Sequence, residues 1–210
     1  MADNAVIAGQ CLDAALTIIL EKEPELARLD SVAGDGDHGA GMARGFRAAV
    51  TVERAGTAGQ VCMNAGMAFS NAAGGASGAL VGTLIMTIGS GLQGEDLDAA
   101  KVHAALSSGY EAICKLGKAE VGDKTMLDTL DPFIKAYGEA AAAGASITGA
   151  WQQALPAAEA GMESTKDMIS KRGRSAALKE KSRGTHDPGA TSMYHILVAV
   201  GGVLQQECPD

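Results

Sequence analysis

The chain has 210 residues, of which 47% are hydrophobic, 20% charged and only 3% aromatic. It is too apolar for intrinsic disorder and too poor in aromatic residues for a typical β-sandwich, and its length suits one domain, residues 1–210, with its own core. A formal net charge of −8, with no long run of Lys and Arg, speaks against nucleic acid as a partner.

There are 28 glycines and 40 alanines. Alanine favours helix interiors and glycine is costly there, so the glycines are expected at helix ends or against ligands. Cys11, Cys62, Cys114 and Cys208 are spread singly, which suits reduced thiols packed as small apolar side chains in a cytoplasmic protein. The N-terminus has no basic stretch before its apolar run. The longest apolar segments, near 79–92 and 190–204, fall short of the ~20 residues that cross a bilayer, so neither export nor membrane insertion is expected.

In chain order, Ile7, Leu12, Ala15, Leu16, Ile19 and Leu20 recur at helical spacing and predict a first helix over 4–23. The same periodicity predicts helices over 40–54, 58–73, 79–90, 96–116, 125–142, 148–171 and 188–206. Asp96, Thr148 and Asp187 are placed to cap the fifth, seventh and eighth, the last with Pro188 at its first position. Pro132 and Pro156 should kink or restart their helices. No segment reads as a strand, so the expected class is all-α.

Chemistry concentrates in the loops. Asp30, Asp35 and Asp37 fall within eight residues, interleaved with glycine. Carboxylates so crowded repel unless a hard divalent cation such as Mg²⁺ joins them, and the alternation Asp35-Gly36-Asp37 lets both side chains reach one ion. The loop lacks the regular odd-position ligands and twelfth-position Glu of an EF-hand. A solvated acidic turn is the plain alternative. Gly74-Gly75-Ala76-Ser77-Gly78 opens a helix and could offer backbone amides to phosphate, or simply let helices pack closely. In Gly117–Met126, Thr125 is a cap candidate and Met126 offers apolar surface to a purine. Lys171-Arg172-Gly173-Arg174-Ser175 is the one dense basic cluster, with Arg174 a candidate phosphate clamp. His38 and His186 have no second His or Cys at ligand spacing and read as hydrogen-bonding groups.

Taken in order, Asp30 with Gly-Asp-Gly-Asp-His-Gly (34–39), Gly-Gly-Ala-Ser-Gly (74–78), Gly-Asp-Lys-Thr-Met (122–126), Arg-Gly-Arg-Ser (172–175) and His-Asp-Pro-Gly-Ala-Thr-Ser (186–192) resemble the nucleotide-binding L subunit of dihydroxyacetone kinase and the matching half of single-chain kinases. The resemblance implies an antiparallel eight-helix barrel with ADP or ATP at one end. It implies two Mg²⁺ on Asp30, Asp35 and Asp37, with His38, Gly39, Ala40, Gly41, Ala76, Ser77, Gly117, Met126, Arg174, Asp187, Pro188 and Gly189 around the nucleotide. Gly41 departs from some relatives, in which a polar side chain is expected. Phosphoryl transfer needs positioning and charge neutralisation more than a protein nucleophile. The implied acceptor, dihydroxyacetone, would sit covalently on a separate K subunit, and ADP would be recharged in place by a phosphohistidine-carrying M subunit or exchanged for ATP from solvent. A homodimer is possible, and related subunits serve kinases of other small ketoses and tetroses. Two other readings of the residues stay open: a metal-dependent phosphatase using Asp35 or Asp37 as nucleophile, and a helical interaction module without chemistry.

Overall fold

A computed structural model describes residues 3–94, 96–172, 176 and 180–209. Among them are eight α-helices and no strand: α1 (Asn4–Ala33), α2 (His38–Ala49), α3 (Ala58–Ala73), α4 (Gly75–Gly91), α5 (Ala99–Gly117), α6 (Leu127–Ala142), α7 (Ile147–Ser164) and α8 (Pro188–Glu207). A 3₁₀ turn, Thr165–Asp167, follows α7. Each helix packs on the next in sequence and α8 returns to α1, which closes the ring. The all-α antiparallel barrel expected from the sequence is the observed fold.

Helix ends follow capping chemistry, with some shifts. Asp3 and Asp187 accept the amides of Ala5 and Ala190 at 2.9 and 2.8 Å. The fifth helix is capped by Asp98 and not by Asp96, and the seventh by Ser146 and not by Thr148. Thr148 is buried instead, and its hydroxyl donates to the carbonyls of Leu204 and Cys208, tying the start of α7 to the end of α8. α1 runs ten residues beyond its expected end at Glu23, straight through Pro24. The carbonyl that loses its donor belongs to exposed Leu20, where water can replace the bond, and burial of Leu26 and Leu29 offsets the ~3 kcal/mol a mid-helix proline costs. α7 stops at Ser164, short of the expected 171, as Thr165 turns its hydroxyl back to the Met162 carbonyl.

The core is filled by small side chains and a few large ones, with Phe133, Tyr137 and Trp151 clustered edge to face. Glycine sets the closest approaches. A Cβ on Gly66 would lie 2.7 Å from the Gly82 carbonyl, and one on Gly89 would lie 2.7 Å from the Gly59 carbonyl, so α3 and α4 touch backbone to backbone. Gly161 of α7 does the same over the Asp128 carbonyl of α6, the group left without its i+4 donor by Pro132. Pro132 and Pro156 therefore sit inside continuous helices.

α1 is the described helix long and apolar enough to cross a bilayer, but here it packs against α2, α3 and α8. The middle and one end of the barrel enclose an apolar cavity of about 250 Å³ to which all eight helices contribute, among them Leu12, Phe46, Val81 and Trp151. The opposite end carries the polar cleft.

Candidate functional site

Because the helices alternate in direction, one end of the ring gathers the C-termini of α1, α3 and α5 and the N-termini of α2, α4, α6 and α8. A cleft of about 530 Å³ opens there. Backbone N–H groups at a helix start, such as that of α4, favour an anion locally, while the carbonyl ends of α1, α3 and α5 at the same rim carry the opposite partial charge.

On one side of the rim stands the acidic turn between α1 and α2. Carboxylate oxygens of Asp30, Asp35 and Asp37 lie within 4.8 Å of one another. Asp30, half-buried at the end of α1, is fixed because its Oδ2 accepts the His38 amide at 3.1 Å. The turn needs glycine twice. At Gly34 a Cβ would drive into the Asp30 carboxylate, and Gly36 adopts φ +77°, in the left-handed region. All-oxygen, anionic donors at this spacing suit a hard cation such as Mg²⁺.

Across the cleft, Gly74 and Gly75 both take positive φ, 73° and 62°, so that the chain can reverse directly from α3 into α4. This brings Ala76 and Ser77 to the cleft wall. His38, buried beneath them, lies 3.0 Å by Nε2 from Ser192 Oγ and 3.4 Å by Nδ1 from Ser77 Oγ. Burial pushes its imidazole down to about 4, against the opposing pull of Asp30 and the Pro188 carbonyl, so it is neutral at pH 7. Ser192 donates its own hydroxyl to the Gly189 carbonyl, which leaves it accepting from Nε2–H and leaves Nδ1 to accept from Ser77.

The third wall is the α5–α6 turn with the approach to α8. Asp123 is buried; burial raises its carboxyl, but Arg172 at 2.8 Å, the Glu120 amide and Lys171 outweigh this and hold it below the usual carboxylate range. Lys124 is also buried, its ammonium among the carbonyls of Met168, Ser182 and Thr185. Asp128 binds the amides of Gly122 and Thr125. Thr125 accepts the Leu127 amide at 3.1 Å, but it stands one residue before the N-cap of α6, which is Met126 and not Thr125 as expected. At the start of α8, burial pushes the Asp187 carboxyl up to about 7, although the Ala190 amide and Lys124 pull it down. Leu80, Ile113 and Met126 form an apolar strip between these walls.

Of the residues singled out from the sequence, Asp30, Asp35, Asp37, His38, Gly41, Ala76, Ser77, Gly117, Met126, Asp187, Pro188 and Gly189 all line this cleft. Gly39 and Ala40 do not. Gly39 faces α1, where a Cβ would lie 2.6 Å from the Glu23 carbonyl, so its smallness serves helix packing. Arg174 lies outside the described residues. Arg44 and Lys124 line the cleft and were missed. Arg44 follows Asp37 and Gly41 at i+7 and i+3, a spacing that would have found it. Its guanidinium donates to the Ala73 carbonyl at 3.1 Å, and a Cβ on Gly41 would meet it at 3.7 Å, so an arginine from the next turn stands beside the place where a polar side chain was expected.

The DAK2 domain matches residues 32–201. The chain belongs to the DAK2 domain family. Among DAK2 relatives, it is 33% identical to the ADP-binding subunit of PEP-dependent dihydroxyacetone kinase 1 of Listeria innocua, over 86% of this chain and 88% of that one. It is 40% identical to the L-erythrulose kinase of Pectobacterium atrosepticum over 95% of this chain, and spans only 36% of that longer protein. The dihydroxyacetone kinase of C. freundii, solved with AMP-PNP and Mg²⁺, superposes with a TM-score of 0.69 at 25% identity, covering 96% of this chain and 34% of that one.

Proposed function

We propose that this DAK2 chain carries an adenine nucleotide with Mg²⁺ for phosphoryl transfer to a small ketose, either dihydroxyacetone or a four-carbon ketose such as erythrulose. One observation carries the reading: three carboxylates within 4.8 Å of one another face the amide-rich start of α4 across a single cleft. Asp30, Asp35 and Asp37 would hold the metal, two ions if the likeness to the family extends so far. A metal held by these carboxylates would supply charge neutralisation to the phosphates and to the leaving oxygen during transfer.

The protein's own part is positioning. The helix N-termini of α4 and α8 bind the polyphosphate, neutral His38 orients the Ser77 hydroxyl, and the strip of Leu80, Ile113 and Met126 receives the purine. The acceptor sugar is presented by another domain or chain, as in a K-type subunit. The PEP-dependent Listeria relative supports recharging by a phosphohistidine carrier of the M type, and the erythrulose kinase supports a four-carbon acceptor.

Native mass spectrometry of the gently purified chain should find ADP and magnesium travelling with it. Calorimetry should show Asp37→Asn weakening Mg-ADP binding by at least about tenfold. A parent chain with no affinity for Mg-ADP, or a variant that binds as well as the parent, would overturn the reading.

A further inference from the structure

A buried lysine in the wall of a cleft suited to polyphosphate invites assignment as a phosphate ligand. Lys124 is 4% exposed and sits at φ +62°, in the left-handed region that a residue with a side chain rarely adopts. Such backbone strain persists only where the surroundings over-determine it. They do so here through the side chain. An ammonium has three N–H donors, and Nζ meets three carbonyls: Met168 at 3.3 Å, Thr185 at 2.7 Å and Ser182. No donor is left over for a ligand.

Asp123, the preceding residue, grips the same stretch of chain from the other side. Its carbonyl accepts the Lys171 amide at 3.1 Å, and its carboxylate takes Arg172 Nε at 2.8 Å and Lys171 Nζ at 3.5 Å. Two consecutive residues of the α5–α6 turn thus fix residues 168, 171 and 172 as well as 182 and 185. Just beyond these lie Asp187, Pro188 and Gly189 of the cleft wall.

We infer that Lys124 is a positioning residue: its ammonium holds the 168–172 and 182–185 segments together, so that the start of α8 is set for the nucleotide, and it makes no contact with the nucleotide itself. The part concerning nucleotide rests on the proposed function; the part concerning the loop stands alone. Burial weakens the proton affinity of Lys124, with Asp187 and Asp167 acting in the opposite direction, which accords with an ammonium held by backbone oxygen and not by a carboxylate.

The test is Lys124→Met in the whole chain, with two readouts. In nucleotide-free protein, amide hydrogen exchange should accelerate in peptides covering 182–189, where the Asp187 amide is held by Thr165 Oγ1 at 3.0 Å and the Gly184 amide by the Lys166 carbonyl at 2.8 Å, and should not change in α3 and α4. Affinity for Mg-ADP and for Mg-AMP-PNP should fall by the same factor, about tenfold, the value of one charge-assisted hydrogen bond. Unchanged exchange overturns the inference whatever the nucleotide does. A loss confined to the triphosphate analogue also overturns it, since that is the mark of a direct phosphate ligand. A parent chain that binds neither nucleotide rejects the proposed function and leaves the exchange result to decide the role of Lys124. Should Lys124→Met not fold, Lys124→Arg keeps the charge but presents a planar fork that cannot match three converging carbonyls. It should show the same two effects, and parent-like behaviour in both would refute the inference.

Discussion

Replacing Asp187 with Asn should remove a specific pH dependence of stability. The carboxyl has an ordinary value of 3.8 and is pushed up to about 7 in the folded chain by burial. The folded state therefore holds the proton more tightly than the unfolded state. Below 3.8 the group costs folding nothing; the cost grows as pH rises toward 7 and is complete above it. One pKa unit is worth about 1.4 kcal/mol, so the gap between 3.8 and 7 sets a ceiling of about 4 kcal/mol. Asp187 is only part-buried where it lines the open cleft, and solvent screening reduces the working figure to about 2 kcal/mol. Asn preserves the cap, because its amide oxygen can accept the Ala190 amide as the carboxylate does at 2.8 Å. Trp151, the single tryptophan, is buried and reports unfolding by fluorescence in urea. The stability of Asp187→Asn relative to the parent should rise from near zero at about pH 4 to about 2 kcal/mol at about pH 8. His38, lowered to about 4, titrates in both proteins and cancels in the difference. Parallel pH profiles for the two proteins would refute the argument.

Two further outcomes test the packing. The Tyr137 hydroxyl is buried with no hydrogen-bond partner among the described residues, so Tyr137→Phe should leave stability unchanged or raise it by up to about 1 kcal/mol in the same urea assay; a clear loss would show that the hydroxyl is bonded. Gly161→Ala should cost about 2–3 kcal/mol, because its Cβ would meet the Asp128 carbonyl and Pro132, both held by backbone, and an unaffected midpoint would mean that α6 and α7 can separate freely.

Helix number and order were legible because each helix buries one apolar stripe, as in α8, where Met193, Leu197 and Leu204 are buried and Ile196 and Val200 half-buried. Ends were less legible where two capping residues compete within a few positions. Asp96 and Asp98 are chemically equal, and only the fold's choice of where the chain turns separates them. The first helix outran its expected end at 23 because packing on either side of Pro24 continues it. In the cleft, the short motifs were readable since each packs acid, hydroxyl or glycine into a loop. Lys124 was not: its partners lie 44 to 61 residues away, and nothing local distinguishes a lysine bound to carbonyls from one in solvent. Gly39, a glycine beside the acidic turn, is small for a reason its motif does not show: the close approach of the Glu23 carbonyl of α1.

The glycine seam between α3 and α4 ties remote positions to the cleft by leverage. α4 has 17 residues and is about 25 Å long, its N-terminus at the cleft and its C-terminus at the far end of the barrel. Gly59 and Gly89 meet near that far end, so a methyl group there would act as a wedge at the tail of a stiff rod and swing Ala76 and Ser77 off the wall they form. A substitution more than 20 Å from the cleft would then read, in a binding experiment, as though it had struck the cleft itself.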